Sequence, residues 1–216
     1  MGRRRNEEER TRLYRTALSL FVRKGYNAAR ISEIADAAGV EKSTVQYYFP
    51  KKSLFISRLL EEMLDAVMQK CEKHNIRSER PFVMLYYAGI AHLDLLAHSE
   101  EMQKITPDIL ADRTLTDSLI ATEIRWSQEH FPSAGDPDRL ALGIRMTMGG
   151  LYEELWHEME EEQSVDVWSL TEYAMYVVTT LLGYSQEERT SIFAESNVSA
   201  EILAQVVEEV RKSIFS

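Results

Sequence analysis

The stretch that decides the fold runs Ile31-Ser32-Glu33-Ile34-Ala35-Asp36-Ala37-Ala38-Gly39-Val40-Glu41-Lys42-Ser43-Thr44-Val45-Gln46-Tyr47-Tyr48-Phe49. Apolar residues recur at helical spacing on both sides of Gly39, which predicts two short helices, about 31–38 and 43–49, joined by a glycine turn. Ala35 and Ala38 are small enough to let the helices approach, and Ile34 faces the second. Val40, Val45, Tyr48 and Phe49 complete a small core with a preceding helix at about 7–24, whose stripe is Leu13, Ala17, Leu20 and Phe21 before Gly25. With Val45, Tyr48 and Phe49 inward, helical geometry turns Ser43, Thr44, Gln46 and Tyr47 outward. These four carry the groups that base edges and phosphates require. Gln46 suits adenine, Thr44 a thymine methyl, and Lys42 a phosphate. A purely structural three-helix unit is the alternative for the same pattern.

Charge distinguishes this segment from the rest. The 216 residues carry a formal net charge of -10, which by itself argues against a nucleic-acid partner. Residues 1–60, however, hold 13 Lys and Arg against 6 Asp and Glu, while residues 61–216 hold 12 against 29. A basic module that meets a polyanion, joined to an acidic body that one would repel, explains such a split. Arg3, Arg4 and Arg5 form a basic arm that either enters an adjacent minor groove or stays solvated.

No alternating strand pattern of useful length appears, and three- and four-residue spacing continues almost throughout, so the chain reads as all-α. A long helix follows Pro50 to about His74 with Phe55, Leu59, Met63 and Val67 on one side. The next, about 79–98, is apolar nearly all round and should lie at the centre of the acidic body. Shorter segments span about 100–110, broken at Thr106-Pro107. Helices at about 112–131, 138–162, 165–183 and 199–215 complete the chain, with a loop at Pro132 to Pro137 and Ser199 capping the last.

At this point the sequence resembles the tetracycline-repressor (TetR) family of bacterial regulators. The resemblance lies in Phe21, Gly25-Tyr26, Ile34-Ala35, Ala38-Gly39-Val40, Lys42, Thr44, Tyr48-Phe49 and Lys52, and directly covers about residues 7–60. It implies an N-terminal three-helix DNA-binding domain over residues 1–52 and a helical effector-binding and dimerisation domain over 53–216. It further implies a homodimer whose recognition helices enter successive major grooves of a pseudo-palindromic double-stranded operator. Most members are repressors released by a small molecule. In that frame Lys42, Tyr48 and Lys52 face phosphate, and Ser43, Thr44, Gln46 and Tyr47 face bases.

Three positions depart from the family pattern. Arg30 and Lys51 stand where hydroxyl or amide caps are usual, and Gln46 replaces a frequent Tyr. A cation at a helix N-terminus opposes the helix dipole, at a cost of roughly 0.3–1 kcal/mol when exposed. A phosphate opposite would offset this, so Arg30, Lys51 and Lys52 are expected to clamp the DNA backbone. Capping by Ser32 or Ser53 is the alternative.

In the acidic body, Gly143, Thr147 and Gly150 form a stripe of small side chains. The resemblance places the dimer interface on this helix and the next, which adds Tyr176, Thr180 and Gly183; close packing within the chain would use the same stripe. Another face carries Met148, Tyr152 and Trp156, and Met63, Tyr86, Tyr87, Met102 and Trp126 lie on helices expected to surround it. Such residues suit an adaptable apolar cavity, or plain core. His92 and Asp94 are polar groups on the helix predicted to be buried, and each needs a partner, a ligand or an internal hydrogen bond. The run Glu153, Glu154, Glu158, Glu160, Glu161 and Glu162 reads as a solvated face, although a carboxylate beside Trp156 favours a cationic aromatic effector.

The single Cys71 and five scattered histidines give no metal-ligand spacing, and no cofactor or metal is expected. No glycine-rich phosphate loop, nucleophile elbow or H-E-x-x-H motif argues for an enzyme. No apolar run reaches the roughly 20 residues of a membrane span, and the reading is cytoplasmic. The remaining rival is a helical interaction module that acts on another regulator without binding DNA.

Overall fold

The computed structural model describes residues 2–161, 163–195 and 198–215, the first four by backbone alone. Every regular element among them is helical. The first helix, α1 (Gly2–Lys24), begins earlier than its apolar stripe, so the backbone of the basic arm is helical too. It ends at Gly25, whose φ of +83° is the left-handed conformation that favours glycine. A Cβ at this position would also meet Asp108 Oδ2 at 3.0 Å.

α2 (Ile31–Ala38) and α3 (Lys42–Tyr48) follow. Gly39, at φ +65°, closes α2 by a double bond pattern: its N–H donates to Asp36 O at 3.1 Å and that of Val40 to Ala35 O at 3.0 Å. Arg12 of α1 donates to the Ala38 carbonyl, so one more end-of-helix acceptor is satisfied across the interface. Ile34, Ala35, Ala38 and Val45 are buried against Leu13, Ala17, Leu20 and Phe21. α4 (Ser53–Lys73) leads from this unit into the body, and Tyr14 of α1 donates to Glu62 of α4 at 2.7 Å.

Pro81 supplies the first residue of α5 (Pro81–His98), where its missing N–H costs nothing. Thirteen of its eighteen residues are buried, which makes it the axis of the body. α4, α9 (Val167–Leu181), α10 (Gln186–Glu195) and α11 (Ala200–Phe215) pack around it. A 3-10 turn at Met102–Lys104 precedes α6 (Thr106–Leu110), so Thr106-Pro107 starts a helix rather than merely breaking one. α7 (Arg113–His130) and α8 (Pro137–Glu160) are capped by Asp112 and Asp136, and α9 by Asp166, each accepting from the first-turn backbone. Gln186–Glu195 has no counterpart in the sequence reading, because it buries only Ile192 and shows no apolar stripe. Cys71 is fully buried, and burial pushes its thiol up to about 11. No described helix is long and apolar enough to cross a membrane.

Candidate operator-reading face and effector cavity

Two sites emerge, one on the outer face of α3 and one within the helical body. The first is the outer face of α3. Val45 is fully buried and Phe49 stacks on Phe55 with ring centroids 4.0 Å apart, so the short helix is pinned from beneath and behind. Lys42, Ser43, Gln46 and Tyr47 are exposed as a consequence, Thr44 is half-buried, and Tyr47 is 72 % exposed. Tyr48 is half-buried with its ring edge-on to Tyr47 at 5.1 Å. A rigid, outward-facing set of hydroxyl, amide and ammonium groups results.

The flanking cations divide into two kinds. Arg30 and Lys51 are exposed. Arg30 is the N-cap residue of α2, but the carboxylate of Glu33 reaches back to its backbone N–H at 2.8 Å and also pairs with Lys24. Glu33 thus restores the negative charge that the helix N-terminus prefers, and the Arg30 side chain is left free of any capping duty. Lys52 differs, since its ammonium donates to the Tyr26 carbonyl and lies 4.1 Å from the Tyr26 ring centroid. Burial lowers its pKa. It ties the start of α4 to the α1–α2 connection and faces inward.

The second site is a cavity of about 90 Å³ between α4, α5, α7, α8 and α9. Leu64, Leu140, Ile144, Leu151, Met175 and Val178 contribute apolar wall, with Trp126 and Met148. The Trp126 indole N–H donates to Asp65 of α4 at 2.7 Å, and its ring stacks on His130. Thr147 and Thr171 also line the cavity, but their hydroxyls donate to the Gly143 and Val167 carbonyls one helical turn earlier.

One corner is polar. His92 of α5 and Glu123 of α7 line the cavity and are 3 % and 6 % exposed. Behind them the Tyr152 hydroxyl donates to Glu123 Oε1, and His92 Nε2 lies 3.1 Å from that hydroxyl and 3.2 Å from the same Oε1. Burial, then the adjoining carboxylate, raise the Tyr152 pKa well above its ordinary value. The phenol therefore keeps its proton. His92 Nδ1 and Glu123 Oε2, by contrast, have no hydrogen-bond partner among the described residues.

Comparison with known proteins now bears on both sites. Residues 13–58 match the family model for bacterial regulatory proteins of the tetR family. The chain's N-terminal segment is thus similar to the DNA-binding region of that family. An HTH-type transcriptional regulator of Escherichia coli, RutR, is 39 % identical over 49 residues, which make up 23 % of each chain. The Bacillus subtilis HTH-type regulator YuxN is 26 % identical over 98 residues, or 42 % of this chain and 34 % of that one. The chain therefore spans about a third or less of the curated relatives it matches. The crystal structure of RolR in complex with resorcinol shares the fold at 16 % identity and a TM-score of 0.59, covering 92 % of this chain and 98 % of that one. All-α architecture with an N-terminal helix-turn-helix and a C-terminal helical domain is thereby established.

Within this fold the residues expected to line a cavity separate. His92, Trp126 and Met148 do so, and Tyr152 stands directly behind. Met63 and Met102 are core, at 1 % and 0 % exposure. Tyr86 packs with Trp168 and Phe193, the Tyr87 hydroxyl accepts from the Val198 N–H, and half-buried Trp156 is not among the lining residues. Asp94 pairs with His98 one turn on and takes no part.

The small-residue stripe divides as well. A Cβ on Gly143 would meet the Val178 backbone of the same chain at 3.3 Å, so this glycine serves the α8–α9 contact, and Thr147 faces the cavity. Gly150, Tyr176 and Thr180 are exposed, as is Gly183 beyond the end of α9. Around them lie exposed Leu142, Met146, Tyr173 and Val177, at 38–70 %. Those four, together with Glu123, are what sequence reasoning missed. Leu142 and Met146, with Gly149 and Gly150, recur at i, i+4, i+7 and i+8, a second apolar stripe beside the first. Glu162 lies outside the described residues.

Proposed function

We propose that the chain is a DNA-binding transcriptional regulator that represses from a pseudo-palindromic operator as a homodimer and is released when a small molecule occupies the α5–α7–α8–α9 cavity. The observation that carries this reading is the outer face of α3, where polar residues are held rigidly outward by a buried Val45 and Phe49 in the only strongly basic quarter of the sequence. Ser43, Thr44, Gln46 and Tyr47 address bases, while Lys42, Tyr48, Arg30 and Lys51 address phosphate. Lys52 acts from behind, by holding the unit together.

The dimer surface is the exposed apolar face shared by α8 and α9, with Met146, Gly150, Tyr173, Tyr176 and Thr180 at its centre. A second half-site then raises the modest affinity of one short helix through high effective concentration. The effector reading rests on the cavity itself and on RolR, whose structure holds resorcinol. Residues 1–52 serve as the DNA-binding domain and residues 53–216 as the sensing and dimerising one.

Footprinting on the DNA upstream of the chain's own gene and on genomic fragments tests the proposal. Protection of a palindromic site, lost in Gln46→Ala with Tyr47→Ala, is the expected result. Binding that is equal on all fragments, or absent, would refute it and favour an interaction module.

A further inference from the structure

We infer that the cavity recognises a ligand of at most one ring that carries a hydrogen-bond donor, a phenolic hydroxyl or an ammonium group, and that Glu123 Oε2 and His92 Nδ1 are the atoms that select it. The inference deepens the effector reading above and rests on it.

Proton counting at the buried corner leads to this conclusion. The single Tyr152 hydroxyl hydrogen is committed to Glu123 Oε1. Both the Tyr152 oxygen and Glu123 Oε1 then face His92 Nε2 as acceptors, at 3.1 and 3.2 Å, so Nε2 must carry the imidazole proton. In the neutral ring Nδ1 is consequently a bare acceptor. Glu123 Oε2 is a second, because a carboxylate oxygen can only accept. Buried polar atoms normally find partners, and among the described residues these two acceptors, on side chains that line one cavity, have none. Trp126 is spent on Asp65, Thr147 on Gly143 and Thr171 on Val167, and the one further lining hydroxyl, that of Ser127, can serve only one of the two acceptors. The missing donor must come from whatever enters.

Size sets the other limit. The cavity measures about 90 Å³, whereas an apolar cavity of roughly 150 Å³ is known to take benzene. One ring is therefore the upper bound, and even that requires Met148 and Met175 to shift, which unbranched thioether side chains do readily. The remaining wall is apolar, so the occupant is a ring with its polar group at one edge. Tyr152 supports both selecting atoms from behind and is a positioning residue.

Titration calorimetry and Trp126 fluorescence with four probes test this: resorcinol, benzylamine, 1,3-dimethoxybenzene and toluene. Resorcinol or benzylamine should bind at least tenfold more tightly than its donor-free counterpart, and whichever does so tells a phenolic from an ammonium ligand. In Glu123→Gln the carbonyl oxygen still accepts from Tyr152 while an NH2 replaces the free acceptor. The tenfold preference should vanish there, with toluene affinity unchanged. Equal binding of all four probes, or no binding of any at millimolar concentration, would overturn the inference. Operator binding by the same unliganded preparation is measured in parallel. If it persists, the failure belongs to the ligand class alone, and if it is absent the regulator reading fails first.

Discussion

At the residue scale, two cations adjacent in sequence do different work. Lys51 is exposed at the start of α4, whereas the Lys52 ammonium is spent on the Tyr26 carbonyl and ring. Lys51→Ser should lower the slope of log affinity against log salt by about one, the signature of one lost phosphate contact. Lys52→Met should leave that slope alone and instead cost about 1 kcal/mol in denaturant unfolding, through the orphaned carbonyl. A slope change from Lys52→Met would put its ammonium on DNA after all. Phe49 governs the site from beneath, being 1 % exposed and stacked on Phe55. Phe49→Ala should destabilise the protein by about 3–5 kcal/mol in the same assay and abolish operator binding. Sequence reading identified these core positions correctly because an aromatic in register with a helix's apolar stripe must point where the stripe points. It could not separate Lys51 from Lys52, since the direction of a long flexible side chain is decided by neighbours far away in sequence.

At the scale of elements, α6 is tied to the connection between α1 and α2. Asp108, in its first turn, accepts from the Asn27 backbone N–H at 2.8 Å and from the Asn27 side-chain amide at 2.9 Å. A double-mutant cycle of Asn27→Ala and Asp108→Ala should give a coupling of about 1 kcal/mol in unfolding experiments, and none would mean that the link carries no energy. α11 is held on α4 through Glu209, which lies 2.8 Å from Lys73 and 3.1 Å from His74. Hydrogen bonding from Lys73 is the main reason that the Glu209 pKa falls below its usual 4.5. A lowered carboxylate contributes stability that is present above the ordinary carboxylate range and lost as pH falls through the folded-state value. Amide protection in α11, corrected for the intrinsic exchange rate, should therefore fall on acidification below about pH 4.5, and Glu209→Gln should weaken that dependence, leaving the part carried by Glu208. The helices themselves were largely legible, because apolar periodicity runs along them and Gly25 and Gly39 mark two ends with chemistry that depends on local backbone alone, whereas the caps Asp112, Asp136 and Asp166 emerged only in the structure. α10 was not, since a helix that buries one residue leaves no stripe. The cavity was half legible for a related reason. His92 stood out as a polar residue on an apolar helix, whereas Glu123 looked like any surface carboxylate on α7.

At the scale of the whole molecule, charge and apolar surface are sorted into separate regions. The basic quarter contains α1 to α3, the acidic remainder would repel a polyanion, and among the described residues five of the eight large exposed apolar side chains lie on α8 and α9. Paired substitutions Met146→Glu and Tyr173→Glu should yield a folded monomer by sedimentation, with operator affinity reduced by about a hundredfold or more. A dimer that survives both would place the interface elsewhere. Periodicity exposed the stripe of Gly143, Thr147 and Gly150 but not which helix approaches it, because a close intrachain contact and a close partner contact require the same small residues. Whether α3 reads sequence is decided by operator selection from a random DNA pool with the wild-type chain and with Gln46→Ala. The wild type should enrich two inverted half-sites whose centres lie about one helical turn apart or a multiple of it, and the variant should lose preference at one symmetric pair of positions while keeping the rest. Enrichment of no motif, or the same motif undiminished at every position in the variant, would mean that α3 does not read sequence.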